Sequence, residues 1–331
     1  AMAKAFTEDD PDGNGEKDTA GITLAGIGFA TTTYDLDIES WVMEDGKYIP
    51  AFISKRQIPA LEFWQGMYRD GYLDAEFSLN GWKQAVQKFS QGAFGMLLRN
   101  ADTHWINKTI SSYFGGANPD IANPFDAVGI FGPMVSPDGT KHWPQYNDTC
   151  GTEISAKTTD TQLDKILELD EYLMTESTKE MMRWGFEGED FEIVDGKKVR
   201  MKDADGNEIS PYGKYPSNTI GMFSDWGWDY DNTFLPEGNP SIPEDIKQYA
   251  VAVRERFNNA AQYENLAIRL ISTPAKDDLF IFGTFTDNYV QIVKGEEDAA
   301  TAFATFVEEE LAKGLATAIE EVNAKAAELG L

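Results

Sequence analysis

Apolar residues recur at the three- and four-residue spacing of one helix face in several stretches of the chain. The segment 56–73 shows this spacing, with a proline suited to its first turn and a glycine suited to its end. Its apolar stripe consists of Leu61, Trp64, Met67 and Tyr68. The segment 161–174 predicts a second amphipathic helix, and 296–329 predicts a long helix or a broken pair with Gly314 as the weak point.

Other stretches alternate apolar and polar residues, which is the period of a half-buried strand. In 41–52 two alternating runs flank the turn sequence EDGK, and in 191–213 similar runs flank DGKK and DADGN. Both segments predict β-hairpins. The run AFGMLL at 93–98 predicts a buried strand. Because strands and helices are mixed along the chain, the pattern indicates an α/β fold.

The charge of the chain restricts its partners. It carries 56 acidic against 28 basic residues, for a net charge of −28. Such a surface repels the phosphates of nucleic acid and anionic lipid. It suits solubility and either cations or neutral polar ligands as partners. We therefore expect no nucleic-acid partner.

Cysteine and histidine are too scarce for several kinds of site. Cys150 is the one cysteine, so the chain forms no internal disulfide, and His104 and His142 are too few for a histidine-based zinc site. Neither histidine accompanies a nucleophile motif such as GxSxG. No apolar run approaches the roughly 20 residues that span a membrane. The first ten residues contain no apolar leader segment.

The stretch 9–20, DDPDGNGEKDTA, has oxygen-bearing residues at alternate positions. The calcium loop of an EF-hand places its ligands in this way, with a glycine at the sixth position. With loop 10–21 in that register, Gly15 occupies the sixth position, and the ligands are Asp10, Asp12, Asn14, Glu16 (through its carbonyl) and Asp18. The last position holds Gly21 where an EF-hand has glutamate, so another oxygen must complete a structural Ca²⁺ site. A solvated acidic turn is the alternative, because DPDG and NG are turn signals.

The order of several motifs resembles the extracellular solute-binding proteins of carbohydrate ABC transporters. The acidic loop is followed by MYRDGYLDAEF (67–77) and FSQGAFGM (89–96), then by GFEGEDFEIVDGKKV (185–199) and VKGEEDAATAFATFVEEELAKGL (293–315). Within that family the chain is most similar to the large lipoproteins of Gram-positive bacteria and to alginate-oligosaccharide-binding proteins. Each motif is modest alone, and their shared order carries the resemblance.

The resemblance implies a periplasmic-binding-protein-like two-lobe α/β fold of the class II type, with an incomplete first lobe. It implies that 1–148 forms the first part of the second, C-terminal lobe and that 149–186 belongs to the first, N-terminal lobe. Residues 187–331 then return to the second lobe, with a hairpin insertion at 190–212 and C-terminal helices. It also implies export and a lipid anchor that precedes Ala1 in the full-length protein.

A sugar site needs aromatic faces for the C–H surfaces of the rings and polar groups for the hydroxyls. The resemblance places a sugar-stacking aromatic at Trp105, whereas Trp64 is expected in the core. The full set of candidate ligand residues is Trp105, Trp226, Trp228, Trp184, Trp41, Tyr34, Asp225, Asp229 and Arg99.

The function expected from these observations is a monomeric, non-enzymatic binding component of an ABC importer. It would take an oligosaccharide between its lobes and deliver it to the permease. Two alternatives stay open at the level of the sequence. A glycoside hydrolase would use paired carboxylates, which GFEGEDFE and SDWGWDYD could supply. A solute-binding protein for a peptide or another non-sugar ligand would share the fold.

Overall fold

The chain divides into two compact units in the computed structural model. One consists of 1–101, 105–145 and 252–331, and the other of 102–104 and 146–251. The lobe boundaries expected from the resemblance remain a prediction. The structure describes residues 1–9, 11, 13, 15–16, 18–32, 34–36, 38, 40–99, 106, 108–130, 143–144, 154–204, 206, 209, 214, 248, 261–262, 266–279 and 284–331.

The helices and strands are mixed along the described residues. The helices are α1 (Met2–Glu8), α2 (Ile27–Thr32), α3 (Ile58–Arg69), α4 (Trp82–Ser90), α5 (Gly115–Ala117), α6 (Asp160–Leu173), α7 (Glu176–Trp184), α8 (Leu266–Arg269), α9 (Pro274–Asp278), α10 (Thr284–Lys294), α11 (Ala299–Glu310) and α12 (Ala316–Leu329). π-Helical turns span Lys108–Phe114 and Leu311–Leu315. Short 3₁₀ turns span Ala51–Ile53, Lys55–Gln57 and Pro124–Asp126. The strands are β1 (Ala20–Thr23), β2 (Trp41–Glu44), β3 (Lys47–Pro50), β4 (Phe94–Leu97), β5 (Trp143–Pro144), β6 (Phe191–Val194), β7 (Lys197–Arg200) and β8 (Ala261–Gln262).

Both predicted hairpins are confirmed. β2 pairs antiparallel with β3, and β6 pairs antiparallel with β7. Each two-residue loop is an Asp-Gly pair, with φ of 50° at Asp45 and 78° at Gly46, and 52° at Asp195 and 77° at Gly196. Positive φ at both loop residues matches the right-handed twist of the flanking strands, which explains why DG closes them.

Parallel pairing joins strands that are distant in sequence. β1 pairs with β4, and their ends Thr23 and Leu97 are partners in the register. The segment after α3 extends this pair through a parallel bridge between Ile22 and Leu73. β5 pairs in parallel with β8.

Helix α3 lies in the main core of the first unit, as its apolar stripe predicts. Leu61 and Trp64 are fully buried there. The Trp64 indole donates from Nε1 to the carbonyl of Ala30 at 3.2 Å. Beside it the C-terminal helices contribute an aromatic cluster in which the Tyr289 hydroxyl donates to the Phe52 carbonyl at 2.7 Å. Burial raises the pKa of Tyr289 well above its ordinary value, so this hydroxyl stays protonated.

Two polar side chains of α3 donate hydrogen bonds to backbone carbonyls at and just beyond the C-terminal end of α10. Gln65 donates from Nε2 to the carbonyls of Ile292 and Glu297 at 2.7 and 2.9 Å. Arg69 donates to the carbonyls of Gly295 and Glu297 at 3.0 and 2.9 Å. Helix ends leave carbonyls without intrahelical partners, and these two side chains supply donors there.

The C-terminal stripe forms a broken pair of helices, one of the two forms its pattern allowed. Gly314 lies between α11 and α12 with φ of 119°, a conformation that glycine adopts without a Cβ penalty. In the second unit α6 confirms the amphipathic helix predicted at 161–174. It begins with a capping box in which Thr159 and Gln162 exchange hydrogen bonds.

One side chain ties α12 to the first hairpin. Asn323 accepts from the Tyr48 amide at 2.8 Å and donates to the Tyr48 and Ile319 carbonyls, both at 2.7 Å. Asn323→Asp would turn a carboxylate toward those two carbonyls, so we expect it to lower the free energy of unfolding by about 2 kcal/mol. Urea unfolding measures this. Lys325→Gln changes the net charge by the same amount on the same helix and is expected to cost about 0.5 kcal/mol or less; equal effects of the two would contradict the assignment.

Candidate functional site

The parallel strands β1 and β4 end side by side in the first unit. Beyond this edge the Leu98 amide donates to the Thr23 carbonyl at 3.1 Å, and Asn80 donates from Nδ2 to the Leu24 carbonyl at 3.3 Å. In open α/β sheets, ligands bind outside the carboxyl ends of the strands. The carboxyl edge of β1 and β4 is therefore the candidate site.

A buried carboxylate fixes the loop that leads to this edge. Asp74 is 4% exposed, and its Oδ2 accepts from the Thr23 hydroxyl, from Asn80 and from Lys88 at 2.8, 2.8 and 2.9 Å. Its Oδ1 accepts from the Glu76 amide at 2.9 Å. Burial alone would raise the pKa of Asp74, but the bonds from Lys88, Asn80, the Glu76 amide and Thr23 outweigh it and hold the pKa below its ordinary value. The network fastens the end of β1 to the segment before α4.

Three cationic side chains lie within 6 Å of the ring centroid of Trp82, near the carboxyl edge of β1 and β4. Trp82 begins α4, with Arg99 Cζ 4.8 Å from its ring centroid, Lys83 Nζ at 5.4 Å and Lys108 Nζ at 5.8 Å. Tyr113 meets it edge-on at 6.2 Å between centroids. Lys83 is exposed, and the other members are half-buried. We call Trp82, Lys83, Arg99, Lys108 and Tyr113 the Trp82 cluster.

The Trp82 cluster comes from three separate segments. Trp82 and Lys83 open α4, Arg99 lies two residues past β4, and Lys108 and Tyr113 lie on the first π-helical turn. Of these residues only Arg99 was a candidate from the sequence. No local sequence pattern marked the other four, because two bases within ten residues are ordinary for a chain with 28 bases among 331 residues.

Three further candidates lie among the described residues: Trp41, Trp184 and Tyr34. Trp41 is 3% and Trp184 8% exposed, so little of either indole remains for stacking on a sugar. Trp184 packs against Phe191, with ring centroids 5.8 Å apart. Tyr34 is half-buried with its ring 5.7 Å from that of Phe63, and burial followed by the charges of Glu62 and Asp35 raises its pKa. Five candidates lie outside the described residues: Trp105, Trp226, Trp228, Asp225 and Asp229.

A cavity of about 350 Å³ lies beside Trp41, lined also by Phe52, Phe285 and Lys276. Burial lowers the pKa of Lys276, and its ammonium donates to the carbonyls of Arg269 and Ile271. The Lys276 ammonium thus bonds to backbone oxygens and stabilises the segment between α8 and α9.

Two glycines in the described part of the acidic loop have left-handed backbone conformations. Gly13 and Gly15 have φ of 69° and 88°, so the chain curls at both. Glu16 and Asp18 are exposed, whereas Asp10, Asp12 and Asn14 lie outside the described residues. Within the described part of the chain, no group of three or more His, Cys, Asp or Glu side chains is placed to hold a metal ion. In the later DADGN segment, the described Gly206 amide donates to the Asp203 carbonyl at 3.0 Å, the hydrogen bond of a turn.

Sequence comparison finds distant relatives over part of their length, and no protein-family model matches the chain. Lipoprotein LipO of Bacillus subtilis (strain 168) is 28% identical over 208 residues, which are 59% of this chain and 40% of LipO. The polygalacturonan/rhamnogalacturonan-binding protein YtcQ of the same strain is 23% identical over 211 residues, 61% of this chain and 40% of YtcQ. The match thus spans two fifths of the length of each curated relative.

Solved structures match almost the whole chain. The S. pneumoniae ABC-transporter substrate-binding protein FusA, in complex with kestose, superposes with a TM-score of 0.58 at 16% identity, over 99% of this chain and 67% of FusA. The alginate-binding protein AlgQ2, solved without calcium ion, gives 0.58 at 14% identity, over 97% of this chain and 65% of AlgQ2. The chain has the fold of an ABC-transporter substrate-binding protein. The mixed α/β fold of a solute-binding protein, expected from the resemblance, is confirmed.

In this substrate-binding-protein fold the Trp82 cluster occupies the carboxyl edge of a parallel strand pair. YtcQ, FusA and AlgQ2 are all named as binding proteins. Within the described residues no helix is long and apolar enough to cross a membrane.

Proposed function

We propose that the protein is the substrate-binding component of an ABC importer and that it binds an oligosaccharide for delivery to the permease. The observation that carries this is the fold shared with FusA and AlgQ2 over 97% or more of the chain. FusA is described with kestose, AlgQ2 as alginate-binding and YtcQ as binding polygalacturonan and rhamnogalacturonan. These ligands are all glycans, although they differ in charge and linkage.

The proposed role needs recognition without bond cleavage. Periplasmic binding proteins close around their ligands by hinge motion, and the closed form is the one expected to dock on the permease. The protein would act as an extracellular monomer, held at the membrane by a lipid anchor in its full-length form. LipO, a relative at 28% identity, is named as a lipoprotein.

A glycan panel tests this proposal. Full-length protein is incubated with fructo-, alginate and galacturonan oligosaccharides and with tripeptides, and the melting temperature and the recovered ligands are measured. A glycan that raises the melting temperature and is recovered intact supports the proposal, because a ligand that binds only the folded state stabilises it. Cleavage of a glycan would favour a hydrolase, and a shift with peptides alone would favour a peptide carrier.

We propose further that the acidic loop holds a structural Ca²⁺ ion. Its ligands would be Asp10, Asp12, Asn14, the Glu16 carbonyl and Asp18, and the two left-handed glycines support the required curl. The loop leads into the amino end of β1, and its last part is fixed by the Thr19 hydroxyl, which donates to the Gly92 carbonyl at 3.1 Å. The ion would therefore secure β1 from the end opposite to the candidate sugar site.

Removal of calcium is expected to lower the melting temperature by several degrees, because a tightly bound ion contributes about 2–3 kcal/mol at 100 times its Kd. Differential scanning calorimetry with EGTA, and then with excess Ca²⁺, measures the loss and its recovery. Asp12→Ala should abolish the response. Asp203→Ala, in the second unit, should retain it. A melting temperature that stays the same when EGTA is added would refute the site.

A further inference from the structure

One side-chain amide at the carboxyl edge of β1 has its orientation fixed by its hydrogen bonds. Asn80 donates from Nδ2 to the Asp74 carboxylate at 2.8 Å, and to the Thr23 hydroxyl oxygen and the Leu24 carbonyl, both at 3.3 Å. An ionised carboxylate and a carbonyl only accept hydrogen bonds. The nitrogen of the amide must therefore face them, and this assigns the other position of the amide to Oδ1.

The Asn80 Oδ1 is accessible to a donor from a ligand. Among the described residues, no group donates a hydrogen bond to this oxygen. Asn80 is half-buried, so part of its side chain faces solvent. An amide oxygen has two lone pairs that accept hydrogen bonds. The side chain thus uses its nitrogen within the protein and keeps its oxygen for another partner.

The residues around Asn80 hold it in place. Asp74 is 4% exposed and also accepts from the Thr23 hydroxyl, from Lys88 and from the Glu76 amide. Thr23 is fully buried at the end of β1. A polar group that is fixed by such a network loses little conformational freedom when a ligand binds. The Asn80 oxygen is therefore pre-organised as an acceptor.

The position and the chemistry of this oxygen indicate the ligand group that it suits. It lies at the carboxyl edge of parallel strands, where ligands bind in this class of sheet. An acceptor complements an O–H group, which a sugar carries at several positions around its ring, whereas a carboxylate offers no donor. Nearby, Leu79 is 79% exposed and the Trp82 indole is half-buried. Apolar and aromatic surfaces suit the C–H face of a sugar ring.

We propose that Asn80 is a ligand-binding residue whose Oδ1 accepts a hydrogen bond from a hydroxyl group of the bound oligosaccharide. This rests on the proposed function of oligosaccharide binding. A site built to bond a substrate hydroxyl rejects an analogue that lacks it, because the polar group of the site is then left unpaired. Asn80 therefore makes recognition depend on one particular hydroxyl of the glycan.

Isothermal titration calorimetry of the full-length protein tests the proposal with kestose, trigalacturonate and trimannuronate. The trisaccharide that the wild type binds most tightly is then titrated into two variants. Asn80→Ala removes Oδ1 and is expected to weaken binding about tenfold. Thr23→Val removes a partner of Nδ2 but keeps Oδ1, so the affinity is expected to change about twofold or less. Both variants lose hydrogen bonds of the Asp74 network, and their melting temperatures measure that structural effect separately.

A crystal structure of the wild type with the same trisaccharide gives a second measurement that needs no variant. The inference predicts a hydroxyl oxygen of the ligand about 2.7–3.0 Å from the Asn80 Oδ1. A bound trisaccharide with no oxygen within about 3.5 Å of that atom would overturn the inference.

The outcomes separate the inference from the proposed function. A loss of affinity in Asn80→Ala that Thr23→Val does not share supports the inference. Equal losses in the two variants would give Asn80 a structural role only, and an unchanged affinity in Asn80→Ala would remove it from the site. Either result overturns the inference and leaves the proposed function standing. If no glycan of the panel binds the wild type, the proposed function fails, and the inference fails with it.

Discussion

Asp74→Ala is expected to lower the free energy of unfolding by about 3–4 kcal/mol, since several donors at a buried position lose their common acceptor. The affected donors are the hydroxyl of Thr23, the amide of Glu76 and the side chains of Asn80 and Lys88. Thr23 is fully buried, and its hydroxyl loses the Asp74 carboxylate as its acceptor. Chemical denaturation of wild type and variant measures the difference.

Glu76 provides the matched control for this substitution. Its carboxylate also accepts from Lys88 at 2.9 Å, but its side chain is 67% exposed. Glu76→Gln is therefore expected to cost about 0.5 kcal/mol or less. If both substitutions cost the same, the buried network is not what holds the end of β1.

Protonation of Asp74 at low pH is expected to lower the free energy of unfolding. The pKa of Asp74 is lowered in the folded protein, so its contribution is complete above the ordinary carboxyl pKa and is lost as the pH falls through the lowered value. Asp74→Asn should flatten the fall of unfolding free energy below about pH 4. An unchanged acid slope would show that Asp74 titrates alike in both states.

Trp64→Ala is expected to cost about 3–5 kcal/mol, the range for removing a large aromatic side chain from a packed core. Trp64 is 1% exposed, and the substitution also removes the hydrogen bond from its indole to the Ala30 carbonyl. The neighbouring Phe63 is 41% exposed, and Phe63→Ala should cost about 1 kcal/mol. Denaturant unfolding of both variants makes the comparison, and a smaller effect at Trp64 than at Phe63 would contradict the packing described for α3.

Local patterns predicted local structure well. The stripe of α3, both DG hairpins and the break at Gly314 depend on residues that are near one another in sequence, so periodicity and turn chemistry suffice to locate them. The Trp82 cluster depends on α4, β4 and a π-helical turn coming together. No local sequence pattern indicates that these three elements come together.

Residue type alone did not indicate which aromatics stay accessible. Trp41 and Trp184 were candidates because tryptophan suits sugar rings, and both indoles are buried against neighbouring side chains. Tryptophan is also a favoured core residue, so its identity does not distinguish packing from recognition. Exposure depends on which elements cover the ring.

The motifs behind the family resemblance serve the fold more than the ligand. In MYRDGYLDAEF, Arg69 caps the end of α10 and Asp74 fastens the end of β1. In VKGEE, the carbonyls of Gly295 and Glu297 accept the hydrogen bonds from Arg69. Such positions are required by the architecture whatever ligand the protein binds. This explains why the sequence pointed to the fold before it pointed to a ligand.

Titration of the full-length protein with an intact oligosaccharide tests the central claim most directly. Isothermal titration calorimetry is followed by mass spectrometry of the recovered ligand, using the glycan that gives the largest thermal shift. The account predicts saturable binding of one oligosaccharide per chain and recovery of that oligosaccharide unchanged. Cleaved product, or the absence of saturable binding by every glycan tested, would contradict it.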